Sequence, residues 1–277
     1  MIASSFDLTD KEFRLFKEMI YQETGIHLSD QKKRLLVARL SRRLRALELK
    51  TFTDYYQYLC DNKHTQKELI NLINRITTNK TDFFREMHHF AFLTETALPK
   101  IIKQGEDNGN RRLRVWSAGC SSGEEPYSIA MTLADAFSRR KGWDIKILAT
   151  DLDTQVLKKA TDAIYNTQTI APVPSKYLSK YFIRKDNAYT ITPQIRSMIS
   201  FRRLNLMDKT FPMKNPFDII FCRNVIIYFD PETKERLMGK VHCHLKKDGY
   251  MFIGHSESLM NMKGDYKYIK TTIYKGI

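Results

Sequence analysis

Nothing in this sequence approaches the roughly 18–20 consecutive uncharged apolar residues that a membrane-spanning helix needs. The best apolar stretch, "DIIFCRNVIIYF" from Asp218 to Phe229, is short and is interrupted by Arg223. The opening "MIASSFDLTDKEF" has no basic start followed by an apolar core, so no secretory signal is expected and a cytoplasmic location is. Cysteine is scarce and scattered. Cys60, Cys120, Cys222 and Cys243 form no C-x-x-C pair, which argues against a disulfide framework and against a structural zinc site. His242-Cys243-His244 has metal-like letters, but residues two apart on a helix point away from each other, so no metal is expected.

What is present is an ordinary globular composition, 42% hydrophobic and 28% charged over 277 residues, enough for one large or two modest domains. The net charge of +15 predicts an acidic partner: nucleic acid, anionic lipid or an acidic protein surface. The first part reads as helices. "LTDKEFRLFKEMIYQETG" carries a Thr9 cap, Glu12 three residues on, and a stop at Gly25. "SDQKKRLLVARLSRRLRALEL" follows, with Ser29 or Asp30 as cap and Leu36, Val37, Leu40, Leu44 and Leu47 on one face. Lys32, Lys33, Arg34, Arg39, Arg42, Arg43 and Arg45 cover its other faces, making a basic amphipathic rod. With "FTDYYQYLC" and "QKELINLINRIT" also helical, an all-α domain is expected over residues 1–75, then a joining segment over 76–111.

From Arg112 short β-rich runs alternate with helical ones: "RLRVW", "PYSIAMTLADAFSRR", "DIKILA", "TQVLKKATDAIY", then "ISFRRL", "FDIIFC", "PETKERLMGKVHCHL" and "YMFIGH". "YKYI" and "TTIY" fit a closing hairpin. This alternation predicts an α/β fold with a doubly wound, mostly parallel sheet over 112–277. One connection, about 166–198, is far longer than the usual ~2–6 residues. Within it "YFIR" and "YTI" flank Lys185 to Ala188, which predicts an inserted β-hairpin subdomain with an exposed strand edge.

The turn "GCSSG", Gly119 to Gly123, matches the G-x-S-x-G elbow of serine hydrolases. That reading needs several earlier strands, and it sets Glu124 and Glu125 where an oxyanion would develop. A cofactor turn fits better: a strand, two glycines, a helix opening at Pro126, and an acid, Asp151, ending the next strand to receive ribose hydroxyls. The loop is not G-x-G-x-x-G, and Glu124 and Glu125 would repel a pyrophosphate. They would welcome an ammonium or sulfonium, as in S-adenosylmethionine.

Several stretches then act together: "INRITTNKTDFFREMHHF", "WSAGCSSGEEPYSIAMTLADA", "ATDLDTQVLKKA", "RRLNLMD", "FDIIFCRNVIIYFDPETKERL" and "LKKDGYMFIGHSES". In these the chain resembles the chemotaxis receptor methyltransferases, the CheR family, over nearly its whole length. The resemblance implies a Rossmann-like methyltransferase sheet preceded by an all-α domain. It also implies transfer of a methyl group from S-adenosylmethionine to glutamate side chains on the cytoplasmic helices of chemoreceptors, leaving S-adenosylhomocysteine, in sensory adaptation. It places Asn79, Thr81 and Arg85 in the cofactor pocket, Glu125 at the methionine end and Asp151 at the ribose. Asn205 and Leu206 would flank the adenine, and Arg223, Asn224 and Tyr228 would lie beside the reacting methyl. Arg85 and Tyr228 are the expected catalytic pair, orienting a carboxylate that is already ionised at neutral pH and needs no general base. Lys32, Arg39, Arg42 and Arg43 are the expected receptor-docking residues.

Some family members hold a pentapeptide at the receptor C-terminus through a longer, glycine-containing hairpin loop. "FIRKDNAYTI" is short and lacks glycine, so no tether is expected, and a monomer without membrane insertion is. Two rivals remain in view. A nucleic-acid methyltransferase suits the charge, but [DN]-P-P-[YF] is missing where Cys222 to Tyr228 stand. A non-catalytic cofactor-binding signalling module would have no need of Arg85 and Tyr228.

Overall fold

The computed structural model describes residues 6–61, 65–262 and 264–277. Four helices come first: α1 (Asp10–Thr24), α2 (Lys33–Ala46), α3 (Phe52–Cys60) and α4 (Thr65–Ile76). The signals at the ends of α1 work as the sequence predicts. Thr9 and Glu12 form a reciprocal capping box, and Gly25 closes the helix at φ 69°. Leu36, Leu40 and Leu44 of α2 pack with Phe13, Phe16 and Ile20 of α1 and Phe52 and Tyr55 of α3 in one buried cluster. The start of α2 differs from expectation. Ser29 makes no side-chain cap, and a short 3-10 turn over Asp30–Lys32 leads into the helix.

The segment after α4 is only briefly irregular. From Met87 the chain is helical again, as α5 (Met87–Phe92), a π turn (Leu93–Ala97) and α6 (Leu98–Asp107). Its buried Phe90, Phe92, Leu93, Leu98 and Ile102 belong to the core under the sheet. Burial of that apolar face fixes it to the α/β part.

The sheet follows as β1 (Arg112–Ala118), α7 (Glu124–Ala136), β2 (Asp144–Asp151) and α8 (Thr154–Asp162). An insertion contains β3 (Ile164–Asn166), α9 (Thr167–Ile170), α10 (Ser175–Tyr181), β4 (Phe182–Lys185), β5 (Ala188–Ile191) and α11 (Pro193–Arg196). The sheet resumes with β6 (Ile199–Arg203), β7 (Phe217–Cys222), α12 (Pro231–His242), β8 (Leu245–Ile253), β9 (Tyr266–Lys270) and β10 (Ile273–Gly276). Seven strands lie in the order β6-β2-β1-β7-β8-β10-β9. All pairs are parallel except β10 with β8 and with β9. Ile129 and Leu133 of α7 cover one face, and Leu237 and Val241 of α12 cover the other. The doubly wound α/β class read from the alternation is the one observed.

The insertion is a correction. The helix expected to run to Tyr165 ends at Asp162, where Ala163 turns the chain at φ 57°. Ile164–Asn166 instead pairs with β5, so the small sheet has three antiparallel strands, β3-β5-β4, where a hairpin from 166 was expected. Tertiary contact wins over helical periodicity here. The Tyr165 hydroxyl donates to the Ser122 carbonyl at 2.8 Å, and its ring meets the edge of Phe83 at 4.9 Å. α12 also stops earlier than "HCHL" suggests. His242 is its last residue, 3.9 Å from Asp265, whereas the His244 ring lies 5.5 Å from that of Phe211. Among the described residues no helix is long and apolar enough to cross a membrane.

Polar contacts bind the helical part to the sheet edge. Asn74 and Thr154 exchange two hydrogen bonds, 3.1 and 3.2 Å. Asn205 donates to the Glu23 carbonyl at 2.7 Å, and the His27 amide to the Tyr228 carbonyl at 2.8 Å.

Candidate active site

Strand β1 lies between β2 and β7, so the chain order reverses beside it, and a crevice opens at the carboxyl ends of the strands. A cavity of about 170 Å³ fills that crevice. Its walls come from the turn after β1, the end of β2, the loops after β6 and β7, and residues 76–85. The helical part adds Thr24, Ile26, His27, Leu28, Lys32 and Leu35.

The turn after β1 is shaped by backbone contacts. Gly119 sits at φ 79°, and a Cβ there would overlap the Val225 side chain. The amides of Gly119 and Cys120 both donate to the Thr150 carbonyl, at 2.8 and 2.9 Å. Ser121 is left-handed at φ 48° and directs its amide to Asp151 Oδ2 at 2.8 Å. The Ser121 hydroxyl donates to the Asn79 carbonyl at 2.9 Å. It is bound to a carbonyl rather than to an imidazole, so this is not a nucleophile elbow.

The helix after the turn begins at Glu124, two residues before Pro126, and its two acids diverge. Glu124 is buried against the Ser122 hydroxyl at 2.8 Å. Glu125 faces the cavity. Its Oε1 accepts from the Ser117 hydroxyl at 2.7 Å and its Oε2 from Arg223 Nη1 at 3.1 Å. Burial pushes the Glu125 carboxyl up from its ordinary 4.5, and the Arg223 guanidinium opposes the shift. Burial likewise raises Asp151, against the pull of the Asp153 and Ser121 amides.

Asp153, overlooked as a site residue in the sequence, organises this corner. It is 1% exposed. Its Oδ1 caps α8 through the amides of Gln155 and Val156, at 2.8 and 3.3 Å. Its Oδ2 accepts from Asn79 Nδ2 at 2.7 Å and from the Thr77 hydroxyl at 3.0 Å. The side chain of Asn79 is therefore committed to Asp153, while its carbonyl holds Ser121.

Across the cavity Arg223, 5% exposed, joins three segments. It reaches Glu125, the Arg85 carbonyl at 2.5 Å, and Glu86 Oε2 at 3.4 Å. Glu86 stands left-handed at φ 58° and accepts the His255 amide at 3.1 Å. His89, fully buried, lies 3.5 Å from Glu86 and 2.7 Å from the Thr272 hydroxyl. Burial, then the positive charges of Arg223 and His88, pushes its imidazole down to about 2. Glu86, His88 and His89 bring potential metal-ligand atoms within 4.8 Å of one another, but the Arg223 guanidinium, 3.4 Å from Glu86, opposes a dication there.

The expected site residues converge on one cavity. Asn79, Thr81, Arg85, Glu125, Asp151, Asn205, Leu206, Arg223, Asn224 and Tyr228 all line it. Arg85 is partly exposed and donates to the Lys80 carbonyl at 3.1 Å. The Asn205 side chain is spent on the Glu23 carbonyl and the Met207 amide, so its part in the wall is through the shape of the loop. Leu206 contributes a carbonyl to Lys240 Nζ at 2.8 Å.

The four residues expected to dock a receptor do not share one role. Lys32 lines the cavity mouth. Arg39 donates to the carbonyls of Ile76 and Thr77, at 2.5 and 3.0 Å. Arg43 makes a two-point pair with Glu68, 2.6 and 2.5 Å, and the Tyr55 hydroxyl also donates to Glu68 at 2.9 Å. Arg42 is exposed. A basic helix face does not reveal that Glu68, 25 residues further along the chain, takes up one of its arginines.

These residues fit S-adenosylmethionine. Each oxygen of Glu125 and of Asp151 accepts one donor from the protein, leaving lone pairs for an ammonium and for ribose hydroxyls. Two carboxylates facing one cavity disfavour a diphosphate and favour a cationic donor.

Comparison with known proteins gives two family matches. Residues 11–77 match the all-alpha domain of CheR methyltransferases, and residues 79–275 match the SAM-binding domain of CheR methyltransferases. The chemotaxis protein methyltransferase of Borreliella burgdorferi is 41% identical over 274 residues, 98% of this chain and 96% of the relative. Those of Salmonella typhimurium and Escherichia coli are 41% and 40% identical over 272 residues, 96% of this chain and 90% and 91% of the relatives.

Proposed function

This chain belongs to the CheR methyltransferase family and is a SAM-dependent methyltransferase of chemotaxis; on that footing we propose that it methylates glutamate side chains on the cytoplasmic helices of chemotaxis receptors, giving glutamate methyl esters for sensory adaptation. The observation that carries this reading is the convergence on one cavity of the carboxylates Glu125 and Asp151 with Arg85 and Tyr228.

S-adenosylmethionine, when bound, supplies an electrophilic methyl group on a cationic sulfur. Glu125 holds the amino acid end by charge, and Asp151 holds the ribose. A glutamate carboxylate arrives ionised, since its ordinary pKa is about 4.3, and its oxygen attacks without a base. The chain's task is alignment and exclusion of water. Arg85 and Tyr228 orient the incoming carboxylate by charge-assisted and neutral hydrogen bonds. Arg223 stays committed to Glu125 and Glu86 and fixes the frame between donor and acceptor.

Docking rests on the basic face of α2. Because Arg39 and Arg43 hold internal partners, Arg42 is the foremost docking residue, with Lys32 at the cavity mouth. Receptor glutamates give this face an acidic target and speed association. The turn between β4 and β5 has only Asp186 and Asn187 outside the strands, which supports an enzyme that works without a pentapeptide tether.

The test is to incubate the protein with radiolabelled S-adenosylmethionine and receptor-containing membranes, then treat with mild alkali. Carboxyl methyl esters release volatile methanol, the expected result. Alkali-stable label would point to N-methylation, and absence of label to a binding module; either would overturn the proposal.

A further inference from the structure

We infer that Glu257, in the loop after β8, is a positioning residue for the acceptor side of the cleft. Its side chain is 6% exposed and receives main-chain donors from two loops. Oε2 accepts from the Asn224 amide at 2.9 Å and the Gly254 amide at 2.5 Å, and Oε1 accepts from the Ile227 amide at 3.2 Å. Nothing assigned to the cofactor or to the incoming glutamate involves this carboxylate.

The loop it holds is one that the sheet does not stabilise. After β7 ends at Cys222, Asn224 turns left-handed at φ 57°, and Ile226–Tyr228 makes a single 3-10 turn. These amides point inward with no ladder partner, and a buried amide without an acceptor is costly. One carboxylate accepting the Asn224 and Ile227 amides of this loop, and the Gly254 amide of its own, sets the turn and hence the placement of Asn224 and Tyr228 in the cavity. The two loops also interlock. A Cβ on Gly254 would overlap the Asn224 side chain, so neither loop shifts alone. The Tyr228 carbonyl accepts the His27 amide, which carries the same constraint to the helical part.

The inference builds on the methyltransferase reading of this cavity. Glu257→Gln tests it with little change in volume. The amide oxygen keeps two of the three donors, but its NH2 group meets the third N–H and displaces the loop. A misplacement of about 1 Å costs on the order of 100-fold in rate. We expect turnover per S-adenosylhomocysteine-binding molecule to fall about 10- to 100-fold. The affinity for S-adenosylhomocysteine, held by Glu125 and Asp151, should change less than about threefold on the same grounds. Counting binding-competent molecules by calorimetry removes the effect of any misfolded fraction. Unchanged turnover per competent molecule, with only a lower Tm, would overturn the inference. Hydrogen exchange on the wild-type protein covers the case where the variant does not fold. The Asn224 and Ile227 amides should exchange slowly without any ligand, and exchange at the rate of an open loop would also overturn it. Failure of the methyl-ester assay in the wild type strikes the functional reading, while the exchange of the Asn224 and Ile227 amides, which needs no receptor, still tests the inference.

Discussion

Removing the Asp153 carboxylate should loosen both the fold and the cofactor site, by an amount the geometry lets us work out. In Asp153→Ala the cap of α8 is lost, about 1 kcal/mol. The two bonds at Oδ2 join a buried charge to the half-buried side chains of Asn79 and Thr77. Bonds to charged groups contribute about 1.5–3 kcal/mol each, but half-buried donors regain water, so about 1 kcal/mol each is the fair share. The total is about 3 kcal/mol. In a chain of this size that lowers Tm by about 6–12 °C, at about 2–4 °C per kcal/mol. Loss of the cap alone would stop there. Because Asn79 also holds Ser121, which orients Asp151, the affinity for S-adenosylhomocysteine should fall by about tenfold, equivalent to 1.4 kcal/mol. Asp153→Asn keeps an oxygen for the cap and replaces the other by a donor facing Asn79, so it should lose affinity with a smaller drop in Tm. The assays are thermal denaturation and calorimetric titration. An Asp153→Ala protein with wild-type affinity would refute the link between the joining segment and the cavity, and an Asp153→Asn protein identical to wild type would refute the role of Oδ2.

Glu125→Gln should weaken S-adenosylmethionine binding about 10- to 100-fold, the worth of a charge-assisted hydrogen bond. Burial raises the Glu125 carboxyl, so acidification protonates it above the ordinary 4.5. Affinity in the wild type should therefore decline with falling pH already above that value, and calorimetry on Glu125→Gln should find a flatter profile. Arg42→Glu should raise the receptor KM, most strongly at low salt, with Tm changed by no more than about 0.5 kcal/mol equivalent. Arg43→Glu faces Glu68 and should instead lower Tm, by about 2–4 kcal/mol equivalent, before any effect on receptor. Equal melting of the two variants would contradict that division. His89, held down to about 2 against an ordinary 6.5, stays neutral in the fold while the unfolded chain takes up a proton below 6.5. Stability should drain away on acidification at up to about 1.4 kcal/mol per pH unit, and His89→Gln should make the slope shallower by that much. Parallel denaturant-melt profiles for the two proteins would refute it.

The strands and the end signals of α1 were legible because they are local. Short β-rich runs mark β1 and β7, and Thr9, Glu12 and Gly25 each act within one turn of chain. Of the cavity residues, Asp151 and Glu125 were legible from the strand, glycine turn and helix around them, and the others through the motifs they share with a family. What escaped the sequence were pairings between distant positions. Ala163 carries no turn signal, and the helix breaks there because Tyr165 finds Ser122 and Phe83. The letters of "TDLD" point to Asp151 but not to the embedded Asp153, and the "HSES" stretch does not disclose that Glu257 gathers amides from the loop after β7. Arg39 and Arg43 look like solvated charges until α4 is packed beside them.

The helical part supplies one wall of the cavity, from Thr24 to Leu35, and is stitched to the rim of the sheet. If these helices dock the receptor as proposed, target choice and donor capture are not separable modules. A chimera that imported another relative's helices to redirect the enzyme would rebuild part of the donor chamber at the same stroke, and a truncated catalytic half would leave that chamber open along one side.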